Sequence, residues 1–307
     1  MIIINPYSSG LTAQRERIIV NTLKEYVDLD VRRTERAGHG AELAREAVRD
    51  DVDLLIACGG DGTANEVLNG MDLADGTANE RAMFAVIPAG GTNVLCRSLG
   101  LPNHPIRATT QLATAIAARR HTTINLGKLD ERIFMFAAGV GFDGAMVKRI
   151  EQKRRGRRPS DMSHVATIVG LFMTERFVFD ERLTVRIEDT GEELRAGLLM
   201  CGNTSPMSYM GRLALDFTPK ARLEAGLDFM APKRVSALFA IKNSMQAMGL
   251  TGKRRLISEE QAQIRSDVRA FQVVCDSPQP CQVDGEYIGE RTHINFSAIR
   301  DAVRLVY

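Results

Sequence analysis

Three glycines and an aspartate in one short segment are the first feature of this chain that could bind a phosphate group. The segment Gly59–Asn65 reads Gly-Gly-Asp-Gly-Thr-Ala-Asn and follows the apolar run Asp53–Cys58. Glycine lacks a Cβ atom, so the backbone can turn tightly and approach a ligand closely. If a helix begins here, its free N–H groups form an anion site that the helix dipole assists. The spacing therefore favours a phosphate-binding loop, and a plain capped strand-to-helix turn is the structural alternative.

The polar side chains of this segment favour a nucleotide carried with a metal ion. Asp61 would repel a bare phosphate, whereas it can face a magnesium ion or a magnesium-bound water. Thr63 can cap the helix or donate to phosphate, and Asn65 can fix the nucleotide. The segment is not a Walker loop, because no Gly-Lys-Ser/Thr follows it. The catalytic-loop motif of protein kinases is also missing from the chain.

The elements around this loop alternate between strand and helix in the first third of the chain. Apolar runs at Ile2–Ile4, Asp53–Cys58 and Ala82–Ile87 predict strands, and apolar residues at helical spacing predict helices between them. A further glycine turn precedes a predicted helix at Thr92–Leu99. Such alternation is typical of a parallel sheet with helices on its faces. We therefore predict an α/β nucleotide-binding domain at residues 1–121.

The pattern changes after residue 121, where strand-like segments follow one another with few helices between them. These segments are Thr122–Leu129, Ile133–Ala138, Leu183–Glu188, Ala196–Cys201, Gly226–Met230, Ile294–Phe296 and Ala302–Val306. We predict a second, mainly β domain of sandwich-like type at residues 122–297. The basic segment Lys148–Arg158 interrupts it, with seven basic residues and one acid. Its composition predicts a solvated loop, and attraction to anionic lipid headgroups is the functional alternative.

Composition and charge exclude several classes of protein. The 307 residues carry 40 basic and 38 acidic side chains, so the net charge of +2 indicates no particular partner. The five cysteines form no Cys-x-x-Cys pair, and the five histidines lack metal-ligand spacing. The first residues do not have the pattern of a leader, and no apolar run is long enough to span a bilayer, so we expect no leader and a cytoplasmic protein. Because the basic segment lacks interleaved aromatics and the chain has no tryptophan, we expect no nucleic-acid partner.

Five segments in order resemble the motifs of the diacylglycerol kinase catalytic-domain family, which includes bacterial lipid kinases, sphingosine kinases and ceramide kinases. They are Asn5–Gly10, Thr34 with Gly38–Ala44, Gly59–Glu66, Pro88–Asn93 and Val283–Glu286. The first has one residue extra or shifted relative to the family's Asn-Pro-x-Ser-Gly loop. The resemblance spans nearly the whole chain, and the order of the five motifs makes it specific.

The resemblance implies an ATP-dependent kinase that transfers the γ-phosphate of ATP to a lipid hydroxyl, with diacylglycerol as the first candidate. It implies that the first domain binds ATP, with a strand at about 298–307 returning to it, and that the second binds the lipid. The nucleotide would be surrounded by Asn5, Pro6, Ser8, Ser9, Gly10, Thr34, Gly59, Gly60, Asp61, Gly62, Thr63, Ala64, Asn65 and Thr92. A magnesium ion would be organised by Asp61 through a water molecule.

The resemblance also assigns the base, because a carboxylate must accept the proton of the lipid hydroxyl as it attacks phosphorus. Glu286 takes that role, and Asp284 is its orienting or metal-linked partner. A hairpin turn is the structural alternative at this motif, since Asp-Gly is the strongest short turn pattern. Ala225 stands where many bacterial relatives have an aspartate that helps to hold a structural magnesium ion, so that ion is doubtful here.

Several alternatives stay open at this point. A sphingoid-base kinase or another lipid kinase fits the same motifs, and an NAD kinase shares the Gly-Gly-Asp-Gly-Thr loop. Asn5-Pro6 and Gly91-Thr92-Asn93 favour the lipid kinases, and Asp61 with Glu286 argues against a non-catalytic ATP-binding regulator. We expect a lipid substrate at an anionic surface on the inner membrane face, with the protein bound peripherally. The sequence also leaves open whether the protein forms a homodimer.

A second glycine pattern, Gly139–Gly144, matches the Gly-x-Gly-x-x-Gly fingerprint of dinucleotide sites. A Rossmann unit requires a helix and a second strand after this pattern, together with an acid about 20 residues on. The basic segment follows instead, and the family's Gly-x-Gly-Phe-Asp segment is the better match. We therefore predict no dinucleotide site here.

Overall fold

A computed structural model of the protein describes residues 1–153, 181–211, 213–234 and 262–307. The chain divides into two compact units: Met1–Leu126 with Ile299–Tyr307, and Gly127–Ala298. Arg154–Arg158 of the basic segment lie outside the described residues.

The first unit is a parallel sheet with helices. Its strands are β1 (Ile2–Ile4), β2 (Val31–Arg33), β3 (Leu54–Gly59), β4 (Met83–Pro88) and the end of β16 (Glu286–Leu305). Its helices are α1 (Ala13–Lys24), α2 (His39–Arg49), α3 (Asp61–Gly70), α4 (Val94–Ser98) and α5 (Pro105–Ala117), with a short 3-10 helix at Thr77–Asn79. The strand order is β16-β4-β3-β1-β2, and every neighbouring pair is parallel.

The apolar sequence of β3 explains its central place in this sheet. All six of its residues are buried, as expected for a parallel strand covered on both faces. Ile4, Ile56 and Ile87 of neighbouring strands share one core with Leu23 of α1 and Leu112 of α5. This core fixes the carboxyl ends of the strands, where the loops predicted to bind nucleotide begin.

The second unit is mainly β. Its elements are β5 (Thr122–Leu129, whose first residues belong to the first unit), β6 (Arg132–Phe134), β7 (Ala137–Val140), α6 (Phe142–Lys153), β8 (Leu183–Ile187), β9 (Glu193–Ala196), β10 (Leu199–Gly202), β11 (Ser208–Met210), β12 (Leu213–Leu215), β13 (Leu227–Ala231), β14 (Gln263–Val268), β15 (Ala270–Val283) and the first part of β16. The antiparallel order β14-β13-β10-β7-β15-β16 forms its main sheet, and β8 pairs with both β15 and β9. Phe271 packs between Phe229 and Phe296, with ring centroids 4.7 Å apart in both pairs.

The predicted fold class, a parallel-sheet α/β region followed by a mainly β region, is confirmed, and some local details differ from the predictions. Lys148–Lys153 is the end of helix α6 rather than a loop, and Gly144 near the start of the same helix packs against the backbone of β15. The segments at 294–296 and 302–306 are parts of one strand, β16. A helix does follow the pattern Gly139–Gly144, but β7 pairs antiparallel with both of its neighbours, unlike a strand of a Rossmann unit.

Two simpler expectations can be compared with the described residues. The five cysteines are all buried free thiols. Within the parts of the chain that the structure describes, no helix has both the length and the apolar character needed to cross a bilayer.

Candidate active site

Three loops are hydrogen-bonded to one another at the carboxyl ends of the parallel strands in the first unit. After β1, the Asn5 N–H donates to the Cys58 carbonyl at 2.9 Å, and the Gly10 N–H donates to the Ala89 carbonyl at 2.7 Å. After β4, the Ala89 N–H donates to the Gly59 carbonyl at 2.7 Å. The loop that follows β3 is therefore held between those that follow β1 and β4, at the edge where α/β sheets bind ligands.

The close approach of two of these loops requires glycine. A Cβ atom added to Gly90 would lie 2.5 Å from the Gly60 Cα atom, and one added to Gly10 would lie 2.9 Å from the Ala89 oxygen. Side chains at either position would push the backbones apart. The glycines of these motifs thus have a packing role in addition to any contact with a ligand.

The N-terminus of helix α3 lies within this arrangement and is open. Gly60 is its N-cap residue in an extended conformation and has no side chain with which to cap the helix. A Cβ atom added to Gly62 would meet nothing within 4 Å. The Thr63 hydroxyl is buried and accepts a hydrogen bond from Asn5 Nδ2 at 3.1 Å. The first turn of α3 therefore offers backbone N–H groups with space beside them.

Two neighbouring helices differ, because carboxylates of this chain occupy their N-termini. Glu66 accepts hydrogen bonds from the Gly38 and Gly40 N–H groups at 2.8 and 2.9 Å, at the start of α2. Asp61 accepts backbone hydrogen bonds at the start of α4, from Asn93 to Leu95. Among the described residues, an external anion therefore meets a built-in carboxylate at the start of α2 and of α4, and N–H groups without such a carboxylate at the start of α3.

Asp61 thus has a role that its sequence position did not reveal. Burial raises the pKa of its carboxyl, and the hydrogen bonds from Val94, Leu95 and Asn93 together with the charge of Arg97 act in the opposite direction. The carboxylate ties the glycine loop after β3 to the helix after β4. Its predicted link to magnesium stays a prediction.

The other predicted nucleotide residues lie on the same edge of the sheet. Ser8 and Ser9 are in the loop after β1, where the Ser8 N–H donates to the Asn5 carbonyl at 3.1 Å. Thr34 follows β2 and is buried, with its N–H donating to the Ile4 carbonyl at 2.9 Å. Thr92 is exposed in the turn before α4. Sequence reasoning gave no role to Glu66, although it stands in the same motif.

The Asp-Gly-Glu motif of the second unit forms a two-residue hairpin turn between β15 and β16. Val283 and Glu286 are paired across it, and Asp284 and Gly285 both have positive φ, at 48° and 79°. The hairpin alternative is therefore confirmed as local structure. We call Asp284–Glu286 the Asp-Gly-Glu turn.

Asp284 ties this turn to the link between β6 and β7. Its carboxylate accepts the N–H groups of Met135, Phe136 and Ala137 at 2.8, 3.0 and 3.1 Å. Its own N–H donates to the Ala137 carbonyl at 2.7 Å. Both carboxylate oxygens accept backbone bonds, so the side chain orients the turn. A metal link for Asp284 stays a prediction.

Glu286 is the exposed carboxylate of the turn. Its side chain is 57% exposed, and its Oε2 atom lies 2.6 Å from Arg132 Nη2. The ion pair gives the carboxylate one defined partner while leaving much of it open to a substrate. Arg132 was missed from the sequence because the two residues are 154 positions apart.

A second hydrogen-bonded chain reaches the turn through Gln282. Gln282 Nε2 donates to Asp143 Oδ2 at 2.6 Å, and the Gly285 N–H donates to Gln282 Oε1 at 2.9 Å. Burial raises the pKa of the Asp143 carboxyl to about 6, opposed by the hydrogen bond from Gln282. Sequence reasoning gave no role to Gln282 and did not pair it with Asp143, since 139 positions separate them.

The region around Ala225 is where the sequence made a structural magnesium ion doubtful. Ala225 donates its N–H to the Arg222 carbonyl, and nearby Asp228 is buried and accepts the Asp267 N–H at 2.9 Å. Burial raises the pKa of Asp228, against the hydrogen bonds from Asp267 and Ser266. Over the described ranges of the chain, no three acidic, histidine or cysteine side chains are grouped so that they could hold a metal ion.

Comparison with known proteins identifies what this architecture is similar to. The family described as "Diacylglycerol kinase catalytic domain" matches residues 1–129. A diacylglycerol kinase of Staphylococcus carnosus is 24% identical over 294 residues, covering 94% of this chain and 89% of that protein. One of Bacillus subtilis is 38% identical over 105 residues, 34% of this chain and 32% of that protein.

Solved structures share the fold over the whole chain. A putative diacylglycerol kinase from Bacillus anthracis covers 100% of this chain and 96% of its own, with a TM-score of 0.74 at 20% identity. A second structure from the same organism gives a TM-score of 0.70 at 21% identity. The resemblance drawn from five short motifs is thereby confirmed.

Proposed function

We propose that this chain, a lipid kinase whose residues 1–129 match the diacylglycerol kinase catalytic-domain family, transfers the γ-phosphate of ATP to the free hydroxyl of diacylglycerol. The observation that carries the nucleotide half of the proposal is the open N-terminus of α3, beside two helices whose N-termini already hold carboxylates. The phosphates of ATP supply the anion that this position lacks.

The residues of the three loops have distinct parts in nucleotide binding. The backbone N–H groups of Gly60–Thr63 receive the phosphate chain, with Asn5 holding the Thr63 hydroxyl in place. Gly10 and Gly90 let the loops approach. Pro6, Ser8, Ser9, Thr34, Gly59, Ala64, Asn65 and Thr92 complete the predicted set.

Magnesium accompanies ATP in this proposal. Magnesium that is bound to ATP needs only one or two protein carboxylates, since phosphate and water oxygens fill the remaining positions. Asp61 fits an indirect role, because its oxygens accept backbone N–H groups and a bound water can bridge the remaining distance. The ion supplies charge neutralisation on the phosphates.

As the oxygen of the lipid hydroxyl attacks the γ-phosphorus, the bond from that phosphorus to ADP breaks, ADP leaves, and Glu286 accepts the hydroxyl proton. Phosphoryl transfer depends on positioning and charge rather than on a covalent intermediate. An exposed carboxylate on a turn that is held from three directions, by Asp284, Gln282 and Arg132, suits that task.

A lipid panel tests the proposal. Purified protein receives labelled ATP with diacylglycerol, a sphingoid base, phosphatidylglycerol or NAD in mixed micelles, alongside Glu286→Gln. Glu193→Gln is the matched control, because Glu193 is 58% exposed and pairs with Arg186 at 2.7 Å, as Glu286 pairs with Arg132. We expect label on diacylglycerol, lost in Glu286→Gln and kept in Glu193→Gln. Label on NAD or on a different lipid alone would overturn the proposed acceptor.

We also propose that the protein binds the membrane peripherally through its basic segment. Lys148 in α6 is already engaged, 2.9 Å from Glu290 and over the Tyr287 ring. The arginines at 154, 155, 157 and 158 therefore supply the attraction to anionic headgroups, at about 1 kcal/mol each. Replacing these four arginines with glutamine should weaken sedimentation with anionic vesicles and leave neutral vesicles unaffected. Unchanged sedimentation would contradict the proposal.

A further inference from the structure

The absence of a side chain at Gly139 creates the space in which Asp143 meets β15. Gly139 and Gln282 are direct partners in the β7–β15 pair, so a side chain at 139 would stand beside that of Gln282. A Cβ atom added to Gly139 would collide with the Asp143 carboxylate. The first turn of α6 therefore delivers a carboxylate to a position on the sheet that a glycine leaves free.

The direction of the resulting hydrogen bonds is fixed by the backbone. The Gly285 N–H can only donate, so Gln282 must present its oxygen there and its NH₂ group to Asp143. Asp143 must then accept. Loss of this acceptor would leave a largely buried amide NH₂ unsatisfied, and the Gln282 side chain would leave its present rotamer.

We propose that Asp143 is a positioning residue for phosphoryl transfer: through Gln282 it fixes the Gly285 amide and so the direction in which Glu286 projects. The proposal rests on the role of Glu286 under the proposed function. The hydrogen bonds carry the effect of Asp143 to the turn through one amide side chain, that of Gln282. Misplacing a catalytic group by about 1 Å can cost on the order of 100-fold in rate.

Two replacements of matched shape separate the hydrogen bond from the packing. Asp143→Asn keeps an acceptor for Gln282, and Asp143→Leu fills the same space without one. Gln282→Met removes both hydrogen bonds of the amide at similar length. The thermal unfolding midpoint of each variant establishes that it is folded.

Two readouts are needed, and only one depends on activity. The first is kcat for the lipid substrate with KM for ATP, and the second is hydrogen exchange of the Gly285 amide. Asp143→Leu should lower kcat by about 10- to 100-fold and speed exchange at Gly285 by about tenfold, with KM for ATP unchanged. Asp143→Asn should restore both values to within about threefold of the original protein. The double variant Asp143→Leu, Gln282→Met should be no worse than the poorer single variant, because both act through one chain.

Several outcomes would overturn the inference. Exchange at Gly285 that is the same in Asp143→Leu as in the original protein would show that Asp143 does not hold the turn. Equal losses in the Asn and Leu variants would show that the charge matters instead of the hydrogen bond. If the original protein phosphorylates no lipid, the proposed function falls, and the exchange measurement still decides whether Asp143 fixes the turn.

Discussion

The glycine loops of the first unit and the Asp-Gly-Glu turn of the second are built in opposite ways. In the loops, two backbones approach each other closely: a Cβ atom added to Gly90 would lie 2.5 Å from the Gly60 Cα atom, and the α3 N-terminus is left open. In the turn, side chains hold the backbone: Asp284 accepts three N–H groups, and Gln282 accepts a fourth. The first arrangement suits the binding of an anion, and the second suits the orientation of one carboxylate, that of Glu286.

The difference predicts which measurement each region controls. Changes in the glycine loops should alter ATP affinity. Changes in the turn should alter turnover and leave the nucleotide in place, because a base acts only in the transition state. Four substitutions test this separation.

Asp284→Leu should have the largest effect. It leaves the N–H groups of Met135, Phe136 and Ala137 without their acceptor and forces a branched side chain into positive φ. We expect the free energy of unfolding to fall by about 3 kcal/mol or more. Denaturant unfolding measures it, with Asp284→Asn as the milder control. ATP affinity lost in the folded Leu variant would break the separation between the two regions.

Gly90→Ala should come next, and it should act on both stability and ATP affinity. The new Cβ atom would lie 2.5 Å from Gly60 Cα, so the two loops must separate, at a cost of about 2–3 kcal/mol. Gly91→Ala is the stability control, because its Cβ would meet nothing within 4 Å. Calorimetric titration with ATP should show affinity weakened by about tenfold or more in Gly90→Ala. Stabilities that are equal in the two variants would contradict the close approach of the loops.

Asp143→Asn should change how stability depends on pH. The pKa of Asp143 in the folded protein is about 6, above about 3.9 in an unfolded chain. Ionised Asp143 therefore costs the folded state free energy above pH 6, and this cost disappears as pH falls below about 4. The Asn variant should be more stable than the original by about 3 kcal/mol at pH 7.5 and nearly equal to it, within about 0.5 kcal/mol, near pH 4. A difference that is constant across this range would rule out the raised pKa.

Arg132→Gln should have the smallest effect on stability. The Arg132–Glu286 pair is partly exposed, and such pairs contribute less than about 1 kcal/mol. Arg186→Gln, which breaks the similar pair with Glu193, should destabilise equally little. Only Arg132→Gln should lower kcat, because only it releases the carboxylate of the turn. Equal kcat values for the two variants would show that Arg132 does not help to position the Glu286 carboxylate.

The glycine loops could be predicted from the sequence because their chemistry is local. Strand, glycine turn and helix start lie within a few consecutive residues, so Gly59–Asn65 was recognised as a phosphate loop. What occupies each helix N-terminus was not predictable, since Glu66 and Asp61 serve helices other than their own. Thr92–Leu99 was predicted as one helix, whereas Asn93 has positive φ and α4 begins at Val94.

The Asp-Gly-Glu turn was recognised as a motif, but its supports were not. Asp143 and Arg132 reach it across 139 and 154 residues of sequence, and long-range pairs leave no periodic pattern. The same limit applies to β15, which was missed altogether although it joins β7, β8 and β16. Its composition, Ala-Phe-Gln-Val-Val-Cys-Asp-Ser-Pro-Gln-Pro-Cys-Gln-Val, includes two prolines that argue against a strand.

The most direct test of the account is where the phosphates of ATP bind. Backbone amide resonances of the isotope-labelled protein are followed by NMR while a non-hydrolysable ATP analogue and magnesium are added. We predict that the largest chemical-shift changes fall on the amides of Gly62 and Thr63, in the open first turn of α3. The largest shifts on Gly38 and Gly40, whose N–H groups Glu66 already holds, would contradict it.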